Sequence, residues 1–124
     1  MTRVVEQSND PQVNALLQVS TDEEPNAVIV EVAGEVDMLT APRFERELER
    51  AIARSPQRLV VDLTDVTFLS SAGLALLVRA RKDCADTIDM RIVAAGSATL
   101  RPIELMGLEG DLRLHSNRAE ALGD

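Results

Sequence analysis

The chain has 124 residues, a net charge of −8 and only two aromatic side chains, both Phe. That length suits one domain around a single core, and without Tyr or Trp the core must be filled by Leu, Val, Ile and Ala. The charge argues against nucleic acid, which requires clustered Lys and Arg to neutralise phosphates, and against an anionic membrane surface.

Residues 1–12 are polar and include Asp10-Pro11, so the sequence predicts a flexible N-terminal arm ahead of one domain over 13–124. No apolar run follows a basic region there, so nothing suggests secretion, and no later stretch approaches the length of a membrane span. The expectation is a cytoplasmic protein. The segments from Val13 to Val19 and Val28 to Val36 are β-rich and flank Asp22-Glu23-Glu24-Pro25-Asn26, a turn by composition, which predicts an antiparallel pair. Thr40 can cap a helix running to about Arg54. On it Phe44, Leu48, Ala51 and Ile52 form one buried stripe, while Glu45, Arg46, Glu47, Glu49 and Arg50 occupy the other faces. Ser55-Pro56 stops the helix.

Leu59, Val60 and Val61 open an apolar strand, expected to Leu63, of the kind buried on both faces. A polar turn with Asp62 and Asp65 follows, and a helix is predicted from Ser71 to Cys84 with Leu74, Leu77 and Val78 inward. A strand over Met90 to Ala94, a helix over Ala98 to Met106, a strand over Leu112 to Leu114 and a helical turn capped by Asn117 complete the chain. Strands alternating with helices imply an α/β fold with a mixed central sheet and crossover connections.

The serine pair Ser70-Ser71 stands directly in front of an apolar helix. Such a hydroxyl can simply cap the helix by accepting from its unpaired amides. Alternatively it is displayed for phosphate chemistry, since amides and the helix dipole stabilise an anion at that end. Other chemistry finds little support. Cys84 and Arg91 are separated by six residues, one more than a phosphate-cradling phosphatase loop needs, and a lone Cys reads as a small buried hydrophobe. As the only cysteine it cannot form an intramolecular disulfide. His115 is the only histidine, no carboxylates are spaced as a metal cage, and no glycine-rich nucleotide loop is present, so no metal, cofactor or catalytic residue is expected. Asp62 invites comparison with a receiver's phospho-acceptor. The acidic pair and late-strand lysine of a receiver are missing, which leaves Asp62 as a strand-end residue bonding loop amides.

Gly34-Glu35-Val36-Asp37 followed by Thr40-Ala41 resembles the GE(L/V)D…TA segment of the STAS domains of anti-sigma factor antagonists. Phe68-Leu69-Ser70-Ser71-Ala72-Gly73-Leu74 resembles that family's F-(M/L)-D-S-S/T-G-L loop, whose first serine after the Asp is phosphorylated, and the stretch from Ala98 to Leu108 is similar to its late helix ending in Gly-Leu. The three blocks occur in the family's order, and the resemblance covers about Val13 to Leu122. Ser70 stands where the family has Asp, and Ala72 where it has a second Ser or Thr.

The resemblance implies a STAS fold with an N-terminal antiparallel strand pair and helices largely on one face. It implies a non-catalytic switch that binds an anti-sigma factor serine kinase of the histidine-kinase-like ATPase fold and so releases a sigma factor. Phosphorylation of Ser71, with Ser70 as the rival acceptor, would end binding by repulsion and steric exclusion, and a metal-dependent serine phosphatase would restore it. Asp37, Thr40, Ser70, Ser71, Ala72 and Gly73 would form the partner face, although Asp37 could equally cap the turn into the helix at Thr40. Two other readings stay open: a STAS subunit of a stress-signalling scaffold or transport complex, and a small-ligand or nucleotide-binding STAS domain.

Overall fold

A computed structural model describes residues 3–6 and 10–123. Among the described residues six strands form one sheet in the order β1-β2-β3-β4-β5-β6, namely Arg3–Glu6, Leu17–Glu24, Ala27–Val36, Arg58–Leu69, Asp89–Val93 and Leu114–His115. The first three pair antiparallel and the rest parallel, so the sheet is mixed. Helices α1 (Pro11–Leu16), α2 (Ala41–Ala53), α3 (Ser71–Cys84), α4 (Ser97–Leu105) and α5 (Arg118–Leu122) connect and cover it.

The central strands read as unbroken apolar runs because both faces are covered. On one face Val28, Val30 and Val32 of β3 and Leu59, Val61 and Leu63 of β4 meet Phe44, Leu48 and Ala51 of α2, Leu74 and Leu77 of α3 and Ile103 of α4 in the main core. On the other, Ile29, Val60 and Val93 meet Ala121 of the short α5. That face is otherwise polar. Arg118 pairs with Asp62 at 3.0 Å, Asp22 at 3.7 Å and Glu31, and Arg58 and Arg91 donate to the carbonyls of Leu122, Gly123 and Ala121. Five residues cannot sustain a helix alone, so α5 persists because arginines hold it at both ends.

Several expectations are corrected. Residues 3–6 form an edge strand and 11–16 a helix, where a flexible arm and a strand from Val13 were expected; Met1, Thr2, Gln7, Ser8 and Asn9 lie outside the described residues. Asp10-Pro11 is a helix start, the Asp10 carboxylate accepting from Gln12 N at 2.9 Å and Pro11 taking the first turn, where its missing N–H costs nothing. The turn shrinks to Pro25-Asn26, since Glu24 still pairs with Ala27. Strand β4 runs twelve residues to Leu69 instead of ending at Leu63, following β3 through two register shifts. Asp62 is therefore mid-strand, although its carboxylate does accept from a local amide, Thr64 N at 3.0 Å, as well as from Arg118. Glu47 is buried with Arg43 at 3.3 Å, widening the inward stripe of α2 beyond its apolar residues. The last strand is displaced to Leu114–His115, with Leu112 in the core.

Gly34 is required by close approach. Its φ is +103°, and a Cβ there would fall 2.0 Å from the Leu16 carbonyl oxygen where α1 passes into β2. No L side chain fits that backbone or that space.

Candidate functional site

Parallel pairing brings the ends of β3 and β4 side by side, with Glu35 opposite Phe68 and Val36 opposite Leu69. The next residue, Ser70, donates its backbone N–H to the Val36 carbonyl at 2.8 Å. The Asp37–Thr40 loop and the start of α3 thereby become one surface at the carboxyl end of the sheet, where open α/β folds place their ligands.

Each side of this surface is organised by its own short-range bonds. Asp37 Oδ1 accepts from Leu39 N at 2.9 Å and Thr40 N at 3.1 Å, an Asx-type turn. Thr40 Oγ1 donates to the Glu35 carbonyl at 2.8 Å and accepts from Asp37 N at 3.0 Å. Thr40 precedes α2 without a side-chain cap, in contrast to the expectation, because its hydroxyl is committed to tying the loop shut. Across the gap Ser70 is the N-cap of α3, its backbone extended and its Oγ accepting from Gly73 N at 3.4 Å. The cap and the candidate acceptor are thus two different serines. Ser71, the first residue of α3, is exposed, and its hydroxyl takes no part in the cap.

Gly73 holds the two sides together. A Cβ at this position would lie 2.7 Å from both Leu69 Cδ1 and Val36 Cγ1, so only glycine lets the first turn of α3 settle onto the strand ends. Thr40 and Gly73, expected on the partner face, are buried and shape it from beneath. Asp37, Ser70 and Ala72 are half-buried, which leaves Ser71 as the fully presented polar residue of the predicted set.

The sequence reading missed the apolar rim. Met38 is 84% exposed, Leu39 47% and Phe68 49%, and all three lie within three residues of the Val36–Ser70 bond. The available signal was an apolar Met-Leu pair placed in a tight polar turn, where burial is impossible. Charge is equally one-sided. Residues 32–42 and 59–78 contain Glu35, Asp37 and Asp65, besides Asp62 paired with Arg118, and no Lys or Arg; the adjoining Arg43 is buried and Arg79 pairs with Glu45.

A cavity of about 410 Å³ lies at the opposite end of the sheet, lined by Glu24, Asn26, Gln57, Arg58 and Asp89 among others. Of its polar groups, Arg58 and Asp89 are paired with each other. Asp89 meets Arg91 and Arg113 at 2.9 Å and Arg58 at 3.4 Å. Burial alone would raise the Asp89 pKa, but the Arg91 hydrogen bond and the charges of Arg91, Arg113 and Arg58 outweigh it and hold the carboxyl below its ordinary value. Cys84 is buried beside Met90, and desolvation pushes its thiol up, so it lacks the thiolate character of a reactive cysteine.

Comparison with known proteins agrees with this architecture. The sequence profile of the STAS domain matches residues 18–121. The anti-sigma-F factor antagonist RsfB of Mycobacterium tuberculosis is 35% identical over 106 residues, 86% of this chain and 87% of that one. The anti-sigma-B factor antagonist of Listeria monocytogenes is 29% identical over 94 residues, 75% of this chain and 82% of that one. The crystal structure of an anti-sigma factor antagonist from Mycobacterium paratuberculosis superimposes with a TM-score of 0.82 at 36% identity, covering 86% of this chain and 91% of that one. With the profile spanning most of the chain and the fold shared along nearly the same length, the chain belongs to the STAS-domain family.

Proposed function

We propose that this protein is an anti-sigma factor antagonist whose partner face is the Asp37–Thr40 loop together with the start of α3, and that Ser71 is its phosphorylation site. Its partner on this reading is an anti-sigma factor serine kinase of the histidine-kinase-like ATPase fold, with a metal-dependent phosphatase reversing the modification. The protein itself acts by binding and performs no catalysis. The observation that carries the assignment is the division of labour between the serines: Ser70 is the N-cap, and Ser71 presents an exposed hydroxyl that the fold does not use. A phosphate there adds about −1.5 to −2 charge beside the amides of a helix N-terminus, which its own fold tolerates.

The test is incubation with candidate anti-sigma factor kinases and ATP, followed by site mapping by mass spectrometry. The assignment expects phosphate on Ser71 and none on Ser71→Ala, which should still bind the partner. Phosphate confined to Ser70 would overturn it.

A further inference from the structure

Between the first turns of α2 and α3 a groove of about 290 Å³ opens beside Ser71. Three small residues, Ala41, Ala72 and Ala75, leave the depression, and Met38 and Leu76 give it apolar walls. The Glu45–Arg79 ion pair, 2.7 Å long, stands at its end, and past that pair only about 20 Å³ remains between the helices. We propose that this groove seats one apolar side chain of the partner, and that the residues flanking that side chain in the partner are basic. The inference rests on the proposed function, since it takes the anti-sigma factor kinase as the occupant.

Size sets the class of occupant. Ligand and cofactor sites begin at about 300 Å³ and enclose their contents, whereas this groove is at that lower bound and open along one side. Its floor offers no polar group to orient a small molecule, and the one charged pair is satisfied within itself. A single aliphatic or aromatic side chain fits these limits. Position ties the groove to the proposed interface: Ala72 adjoins Ser71, and Met38 adjoins Asp37. Met38, itself 84% exposed, would cover the seated side chain from the loop, and Leu39 and Phe68 add exposed apolar surface at the same end of the sheet. Charge then selects the partner's rim. The Arg79 charge at the groove is matched by Glu45, so Glu35, Asp37 and Asp65, with no Lys or Arg in residues 32–42 and 59–78, leave the surface a negative excess that steers a basic one.

Ala75 is exposed on α3, so Ala75→Phe fills the groove from a helix position that carries no core packing. Affinity for the kinase would be measured by calorimetry for the full-length wild type and Ala75→Phe, at low and high ionic strength, with melting temperatures alongside. The proposal expects Ala75→Phe to lose about tenfold or more in affinity at an unchanged melting temperature, and high salt to weaken wild-type binding. If Ala75→Phe melts early, Met38→Ala, which removes a wall from outside any helix, should weaken binding several-fold instead. Wild-type binding with full affinity retained in both variants overturns the groove and leaves the proposed function standing. A wild type that binds no such kinase overturns both. Self-association of the wild type that Ala75→Phe abolishes would assign the groove to a second copy and overturn the proposal as well.

Discussion

Gly73→Ala tests whether the site is built by close approach of α3 to the strand ends. The added methyl carbon would stand 2.7 Å from Val36 Cγ1 and from Leu69 Cδ1, well inside the 3.4 Å at which ordinary contact begins. Leu69 can swing its terminal carbon away. Val36 cannot do so easily, because it is β-branched, fully buried and fixed in β3. Overpacking of this kind costs about 1–3 kcal/mol. Alanine is the better helix former by about 0.5–1 kcal/mol, which offsets part of that cost. The expected net loss is about 0.5–2 kcal/mol, or roughly 2–8 °C in melting temperature for a domain of this size. Urea denaturation should show a lower midpoint with an unchanged slope, since the unfolded surface is the same. Relief of the clash lifts the first turn of α3 from Val36 and moves Ser71 away from the Asp37 loop, so partner binding should fall by more than the fraction unfolded explains. A Gly73→Ala protein more stable than wild type would refute the reasoning, because the propensity gain would then be acting against no steric cost.

Ser70→Ala should cost about 0.5–2 kcal/mol as the loss of an N-cap, and Ser71→Ala less than about 0.5 kcal/mol; the reverse order in urea midpoints would exchange their roles. Asp37→Ala, which removes the acceptor for Leu39 N and Thr40 N, should lose about 1–2 kcal/mol, and Asp37→Asn, which keeps that acceptor, much less. Full stability of Asp37→Ala together with lost partner binding would show instead that the carboxylate acts on the partner directly. Because the Asp89 pKa is depressed in the folded state, its contribution to stability is complete above the unfolded value near about 4 and is lost as pH falls through the folded value. The slope of melting temperature against pH should therefore be shallower below about pH 4 in Asp89→Asn than in wild type, and identical slopes would mean that the arginines do not stabilise the anion. Cys84 in the native protein should react with a thiol reagent only as fast as the fold opens, and prompt stoichiometric labelling would contradict its burial.

Element type was legible where one physical signal dominated. Helix α3 is predicted at Ser71 to Cys84 and found there, because a polar pair followed by an apolar period fixes both its start and its inward face. The antiparallel β2–β3 pair followed from the same logic of apolar runs about a polar turn. Failures occurred where a residue has two meanings. Asp10-Pro11 reads as a breaker when it follows a polar arm, but as a helix start when residues such as Val13 follow and can be buried. Asp62 and Asp65 read as the end of β4, yet the strand continues because Arg118, fifty-six residues later, neutralises Asp62 on the polar face of the sheet. No local pattern could announce that partner. For the candidate site, the motif names residues that the fold brings to one end of the sheet, without their division of labour. Which serine caps and which is presented depends on one helical residue of register, and that Thr40 and Gly73 lie beneath the face is a consequence of packing.

An acidic, apolar pole changes how phosphorylation of Ser71 would act on the proposed reading. A basic partner would be attracted more strongly at long range by an added dianion, so repulsion does not account for loss of binding. The opposing effect is local. Met38, Leu39 and Phe68 are exposed apolar groups at the same end of the sheet as Ser71, and a phosphate enclosed by the partner there would lose hydration, with the amides of α3 as its donors in this chain. The desolvation cost acts only in the closed complex, which places the effect on dissociation and leaves encounter unimpeded. Ser70 fits that scheme. A neutral cap beside Ser71, where the resembled motif has a carboxylate, removes one adjacent negative charge and leaves the α3 amides to favour the phosphate. The modified protein then keeps its fold while losing its partner, and the switch requires no conformational change in the sheet.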